Sequence, residues 1–313
     1  MPVFAYQSLN SNASSDHGVS ASNSQHFTRM THDHSATNHQ GPWLLVPPTN
    51  PNVEPHELLH GPSQMISTAS AGKMNKGQHD NASFRSLVEG KARLNHQHLG
   101  QAFGQSCDLM VFGELNSEHA EWATLKNSAG PIFKTSTPAK ACNCFSVHAT
   151  NNSQHRFVGD GQGWIAIKSY GVLAVFVHVP NSVAKSADAA KVFYGAIRNQ
   201  LLQSNAGVID IIMGDTNQGS NDFTHTVVSE ALGQTFADAH TGSSIQPFDA
   251  HNREFQGTNS TGTKKYDVAV YNTQSVRVNR LIYLSQFAPT SHQSWEAVAI
   301  TDHMGIGVEV ERI

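Results

Sequence analysis

Short apolar runs separated by polar turns dominate the chain from Gln64 onward, with two stretches that keep helical spacing instead. In SFRSLVEGKARLNHQHLGQAF, Ser83 to Phe103, apolar residues at Phe84, Leu87, Val88, Leu94 and Leu99 predict a helix, or a helix broken at Gly90. SADAAKVFYGAIRNQLLQS, Ser186 to Ser204, predicts a second helix that opens on Ser186 as its cap. Strands are expected in CDLMVFGEL (from Cys107), GWIAIKS (from Gly163), GVLAVFVHVP (from Gly171), VIDIIMGD (from Val208), KYDVAVYN (from Lys265), VRVNRLIYL (from Val276) and the C-terminal GIGVEVERI. IKSYGVLAV reads as a hairpin turning at Tyr170 and Gly171. So many strands, with helices between only some of them, predict an α+β fold of two packed mixed sheets with helices outside.

Residues 1–63 lack this patterning. SLNSNASSDHGVSASNS and THDHSATNHQ are polar and without period, and WLLVPPTNPNVEP adds an apolar patch and a proline-rich connector. This segment holds Asp16, Asp33, Glu54 and Glu57 against Arg29 alone. The expectation is a polar low-complexity tail over 1–63 and a catalytic domain over 64–313. The tail histidines, including His17, His26, His32, His34 and His39, are too irregularly spaced to predict a metal site.

Composition narrows the picture further. Only 14% of the 313 residues are charged, and the formal net charge of −4 argues against nucleic-acid binding by bulk electrostatics, though not against a local basic groove. No run reaches the roughly 18 apolar residues of a membrane span, and the N-terminus lacks a secretory pattern. Localisation stays open between cytoplasm, injection by a secretion machine and release by lysis. Cys107, Cys142 and Cys144 cannot all pair within the chain and lack zinc-site spacing, so ordinary thiols are expected.

Polar groups recur at the ends of the aliphatic strands. DLMVFGELNSE delivers Glu114, GVLAVFVHVP delivers His178, VIDIIMGDTN delivers Asp215 and Asn217, and AITDHMGIGVEV delivers Asp302 and His303. Strands that end at one edge bring such residues together, and fixed catalytic groups sit in clefts there. Carboxylates, imidazoles and an amide, with no nucleophile elbow, point to a hard cation such as Mg²⁺ and to hydrolysis of a phosphate ester.

VFGEL, VFVHVP, IIMGDTN, KYDVAVY and AITDHMGIGVEV, in this order, resemble the motifs of the endonuclease/exonuclease/phosphatase superfamily, which has the deoxyribonuclease I-like fold. The segment from GWIAIKSYG to GAIRNQL is similar to the nuclease subunit of cytolethal distending toxins. The resemblance implies a four-layer α/β/β/α sandwich and a Mg²⁺-dependent DNA endonuclease, with Mn²⁺ or Ca²⁺ as substitutes. It implies a toxin or effector role, DNA as substrate, and a delivery or immunity protein as partner.

Carried over by motif, Glu114 and Asp302 would hold the metal. Asp215 and Asn217 would orient the attacking water and contact phosphate, and His178 and His303 would be the catalytic histidines. Asp267 would orient His303, and Lys168 would stand where the toxin subunits place a phosphate-contacting arginine. Thr301 replaces a serine before Asp302, and Gly113 stands where glutamine is usual. The family's first strand best matches MISTASAG, which puts Ala69 at the position of a metal-supporting asparagine. Either Asn75 or a neighbour serves instead, or the metal is held more weakly. An insertion around Gly72 to Asn81, with Lys73 and Lys76, could touch a phosphate backbone or be a solvated loop. Two other readings remain: a phosphatase for phosphoinositides or small phosphate esters, and a degenerate binding module without catalysis.

Overall fold

The computed structural model describes residues 1–9, 90–93, 95–96, 99–100, 102–115, 131–134, 144–149, 152–218, 223–239, 244–245, 265–284, 287–289, 297–299 and 303–313. Two mixed sheets carry the fold. The first has seven strands: β1 (Val3–Ser8), β2 (Leu109–Leu115), β3 (Pro131–Lys134), β4 (Cys144–Ala149), β10 (Ser244–Ile245), β12 (Val276–Leu284) and β15 (Gly305–Arg312). Its order is β10-β12-β15-β1-β2-β4-β3. The second has six: β5 (His155–Gly161), β6 (Trp164–Ser169), β7 (Val172–His178), β8 (Ile211–Asp215), β9 (Phe236–Asp238) and β11 (Asp267–Asn272), ordered β5-β6-β7-β8-β11-β9. A separate pair joins β13 (Phe287–Pro289) to β14 (Ala297–Ala299).

Alternation along the six-stranded sheet assigns its two faces. Ile165, Ile167, Ala174, Phe176, Ile211, Met213 and Ala269 enter one core cluster with the residues of the seven-stranded sheet. Trp164, Ala166, Val175, Val177, Ile212 and Val270 enter a second cluster with the helices. That second cluster is closed by α2 (Ala187–Gln203) and α3 (Phe223–Leu232), with the short α1 (Asn181–Ala184) ahead of them. In α2, Ala190, Tyr194, Ile197 and Leu201 are the buried positions, spaced four, three and four apart as one helical face requires. The Ser186 side chain caps it by accepting from the Ala189 N–H.

Helical backbone within 90–103 covers the seven-stranded sheet, where Leu99 seats against Gly307. Arg280 fixes this helix by donating to the carbonyls of Ala102 and Phe103 at 2.6 and 3.0 Å while it pairs with Glu309. The layers are therefore helix, sheet, sheet, helix, as expected. The turn at Tyr170 and Gly171 is also as read, with both residues at positive φ and Ser169 facing Val172.

One expectation is overturned. Val3–Ser8 is no part of a tail: it lies between β15 and β2 in the middle of its sheet, and Val3, Phe4, Ala5, Tyr6, Gln7 and Ser8 are all fully buried. The parallel neighbour of the Glu114 strand is this segment, where MISTASAG had been the expected match. Residues 10–63, together with Ala69, Asn75 and the stretch 72–81, lie outside the described residues. Cys107 is a free, buried thiol whose pKa burial pushes up.

Candidate active site

Sheet register places three site residues in one row. His178 ends β7 opposite Asp215, and Asp215 is opposite Asp267 across the β8–β11 pair. By parity all three share the face turned toward the seven-stranded sheet. Gly214 makes the first pairing close: it sits at φ 145°, and any Cβ there would collide with the Val177 carbonyl. His178 is fixed from the other side, since its N–H donates to the Gly163 carbonyl at 2.9 Å.

The opposite sheet supplies Glu114 by breaking its own alternation. A strand of regular pleat would turn Glu114 away from the face that Gly113 occupies. Instead the β2–β4 register shifts between Phe112 and Leu115, and Glu114 takes φ 56°. Bulges re-aim side chains in this way, and a non-glycine residue holds such a φ only where its surroundings enforce it. Ser8, which faces Gly113 in the β1–β2 register, donates its hydroxyl to Oε2 of Glu114.

The two sheets meet at these side chains. His178 Nε2 is 3.9 Å from Glu114 Oε1 and 3.7 Å from Asp215 Oδ2. His303, just ahead of β15, has Nδ1 3.0 Å from Asp267 Oδ2 and 3.8 Å from Asp215 Oδ2. A carboxylate only accepts, so the shorter contact puts the His303 proton on Nδ1 and leaves Nε2 as the ring's other face. Tyr266 stacks on His303 with centroids 6.0 Å apart. Behind it, Gln7 donates to the His303 carbonyl at 3.4 Å and accepts from Asn95 at 3.0 Å.

Asn217 closes the loop after β8. At φ 53° its N–H donates to Asp215 Oδ1 at 2.9 Å, and its side-chain amide donates to the Val179 carbonyl at 2.8 Å. Thr216 anchors the same turn through its N–H and hydroxyl, both on the Tyr266 carbonyl. Asp215 is thereby oriented by the backbone of its own loop, an Asx-type turn.

Glu114, His178, Asp215, Asn217, Asp267 and His303 thus gather at one end of the sandwich. Asp302 lies outside the described residues. Lys168 is a correction: it pairs with Leu173 beside the hairpin turn, five residues short of His178 along β7, or about 16 Å. Its parity is that of Trp164 and Ala166, toward the helices, and its Nζ lies near Gly207. It cannot contact a phosphate held by the histidines. Sequence reading missed Ser8, Gln7 and Tyr6, which the central position of β1 brings under the site.

The donor set fits a divalent ion. Glu114, His178 and Asp215 each offer one ligand atom, and all three atoms lie within 4.8 Å of one another. The two carboxylates are the oxygen ligands that a hard divalent ion takes, with the remaining positions left to water and substrate, while the imidazole is a donor that such ions take less readily.

No family model matches the chain, and no curated protein does. Among solved structures, it is similar to a mannosyl-6-phosphatase of Bacteroides thetaiotaomicron, at 14% identity over 74% of this chain and 95% of that one, TM-score 0.48. An endonuclease/exonuclease/phosphatase family protein of the same organism follows at 15% identity, 74% and 90% coverage and TM-score 0.47. A Neisseria 3′ phosphatase bound to a product DNA hairpin matches at 13% identity, 69% and 92% coverage and TM-score 0.42. Likeness at this level concerns the course of the backbone alone. No helix among the described residues is long and apolar enough to cross a membrane.

Proposed function

We propose that the protein is a divalent-metal-dependent phosphoester hydrolase, and specifically a Mg²⁺-dependent DNA endonuclease. The observation that carries this reading is the meeting of Glu114 from one sheet with His178 and Asp215 from the other, beside the Asp267–His303 pair. A divalent ion would be held by Glu114, with Asp302 as the second ligand that the motif suggests, and would neutralise charge on the phosphoryl oxygens.

The chain's own groups divide the proton work. Asp215, fixed by Asn217, is placed to orient a water and take its proton as the water oxygen attacks phosphorus. His178 lies between Asp215 and Glu114 and stabilises the pentavalent phosphoryl group by hydrogen bonding. His303, oriented by Asp267 through Nδ1 and acting as the imidazolium, gives its Nε2 proton to the departing oxygen as the P–O bond breaks and is left as the neutral ring. Asn217 keeps one amide proton on Val179 and has the other for the phosphate.

A second reading, a phosphatase for small phosphate esters or phosphoinositides, is favoured by one observation. The formal charge of the chain is −4. A polyanion such as DNA binds largely through cations. A toxin or effector role, with its delivery or immunity partner, is supported by the motif resemblance alone.

Incubation of the protein with supercoiled plasmid and Mg²⁺ separates these readings. Nicking that EDTA and His178→Ala both abolish supports the endonuclease. Phosphate release from a monoester and phosphoinositide panel without nicking supports the phosphatase. Activity on neither, with intact folding, overturns both.

A further inference from the structure

Beneath the centre lies a side chain that the proton scheme does not use. Tyr6 is fully buried in β1, and its hydroxyl proton has no acceptor: the Asp215 backbone N–H bears on the phenol oxygen, but no side chain takes the proton. A buried hydroxyl whose proton has no acceptor is destabilising, so a tyrosine here rather than a phenylalanine needs a reason. Filling volume is not that reason, because the ring alone would do so.

The surroundings supply one. A Cβ on Gly113 would overlap the Tyr6 hydroxyl, so the phenol oxygen occupies the side-chain space of the residue next to Glu114. Ser8, two residues along the same strand and the same face, is the donor to Glu114. Burial, followed by the charges of Asp215, Asp267 and Glu114 and opposed by the Asp215 backbone N–H, holds the phenol well above its usual pKa, hence protonated and able to donate. The three carboxylates of the centre therefore all bear on one fixed O–H.

We infer that Tyr6 is a positioning residue of the metal centre, its hydroxyl seated over Gly113 as a donor reserved for the Glu114–Asp215 carboxylate floor when an ion draws those groups together. A donor from below holds the outer carboxylate oxygens toward the ion and lowers the cost of crowding like charges. Glycine at 113 is the counterpart of this arrangement, since any side chain there displaces the phenol. The inference rests on the phosphoester-hydrolase reading above.

Titration calorimetry with Mn²⁺ on the full chain tests it, alongside melting temperature and steady-state kinetics on bis(p-nitrophenyl) phosphate. Tyr6→Phe is expected to melt at or above the wild-type temperature, because a buried O–H without an acceptor is removed, and yet to bind Mn²⁺ about 5- to 10-fold more weakly, the loss of one charge-assisted hydrogen bond. Its kcat should fall by a similar factor with KM little changed. Gly113→Ala should weaken Mn²⁺ binding as well. Wild-type Mn²⁺ affinity in Tyr6→Phe overturns the inference and leaves the hydrolase reading standing, provided that Glu114→Gln abolishes binding. A wild-type protein that binds no Mn²⁺ overturns both. A lowered melting temperature with unchanged affinity makes Tyr6 a packing residue only.

Discussion

His303 and Asp267 belong to strand systems of different sheets, yet Nδ1 of one lies 3.0 Å from Oδ2 of the other. This pair stitches the two sheets at the end where the candidate site lies, and both partners are buried. In the proposed mechanism the pair orients the imidazole. Asp267→Asn keeps the shape and removes the charge that fixes the Nδ1 proton, so kcat should fall roughly 10²- to 10⁴-fold, the range of a general acid's contribution. His303→Ala should cost as much, and the double variant little more than either single one, because coupled residues fail together. Steady-state kinetics on the four proteins checks this, and additive losses would separate the two residues.

Glu114 predicts a different pattern. Its oxygen faces His178 and its other oxygen accepts from Ser8, within a left-handed backbone that only the bulge enforces. Ser8→Ala should weaken divalent binding by about 5-fold, the worth of one hydrogen bond near 1 kcal/mol. Glu114→Gln should remove divalent binding altogether. Calorimetry with Mn²⁺ gives both numbers, and an unchanged affinity in Glu114→Gln would take the residue out of the ligand set.

Gly214 is where the fold and the site share one constraint. A Cβ there would run into the Val177 carbonyl at a φ of 145° that side chains avoid. Gly214→Ala should therefore destabilise by roughly 3 kcal/mol or more, since strand separation or backbone shift must follow. Chemical denaturation reads the loss, and activity should fall with it because Asp215 moves away from His178.

Lys168 offers a negative prediction. Lying beside the hairpin turn and toward the helices, it should be dispensable: Lys168→Ala is expected to retain wild-type kcat and KM. A drop of ten-fold or more in kcat/KM would restore its phosphate role. The sequence already contained the objection. A turn at Tyr170 and Gly171 pairs residue 168 with 173, which leaves it five positions from 178. Motif alignment along the chain ignored that register.

Much else was legible because the strand pattern is strong. β6, β7, β8, β11 and β12 fall within the expected runs, and α2 keeps the Ser186 cap. The row His178, Asp215, Asp267 follows from strand ends that meet at one edge. β1 was not legible, for a physical reason: VFAYQS is six residues long and leads into a long polar stretch, and its partners β2 and β15 begin over 100 and 300 residues later. Local pattern carries no signal of a partner at that distance. Ser8, Gln7 and Tyr6 were lost with it, and the bulge that re-aims Glu114 leaves no mark in VFGEL beyond the glycine.

His155 ties pH to stability at the other end of the sandwich. It is buried, with Nδ1 2.8 Å from Ser169 Oγ, and Tyr170 packs on it edge-on while donating to Asp108. Burial, opposed by the nearby Asp108, lowers its pKa from the usual 6.5. The unfolded chain therefore binds the proton more readily than the folded one, so stability is intact above about pH 6.5 and declines as pH falls through it. His155→Gln should flatten that decline in melting temperatures between pH 7.5 and 5. An equal slope in both proteins would assign the acid sensitivity elsewhere.

Metal-dependent hydrolysis of bis(p-nitrophenyl) phosphate, compared between wild type, Glu114→Gln and Asp215→Asn, weighs most directly on the proposed centre. One substitution falls in each sheet. A rate in the wild type that needs Mg²⁺ or Mn²⁺, and that disappears in both variants while their melting temperatures hold, is what a single centre built across the two sheets predicts. Undiminished hydrolysis by either variant, or a wild-type rate indifferent to EDTA, would contradict it.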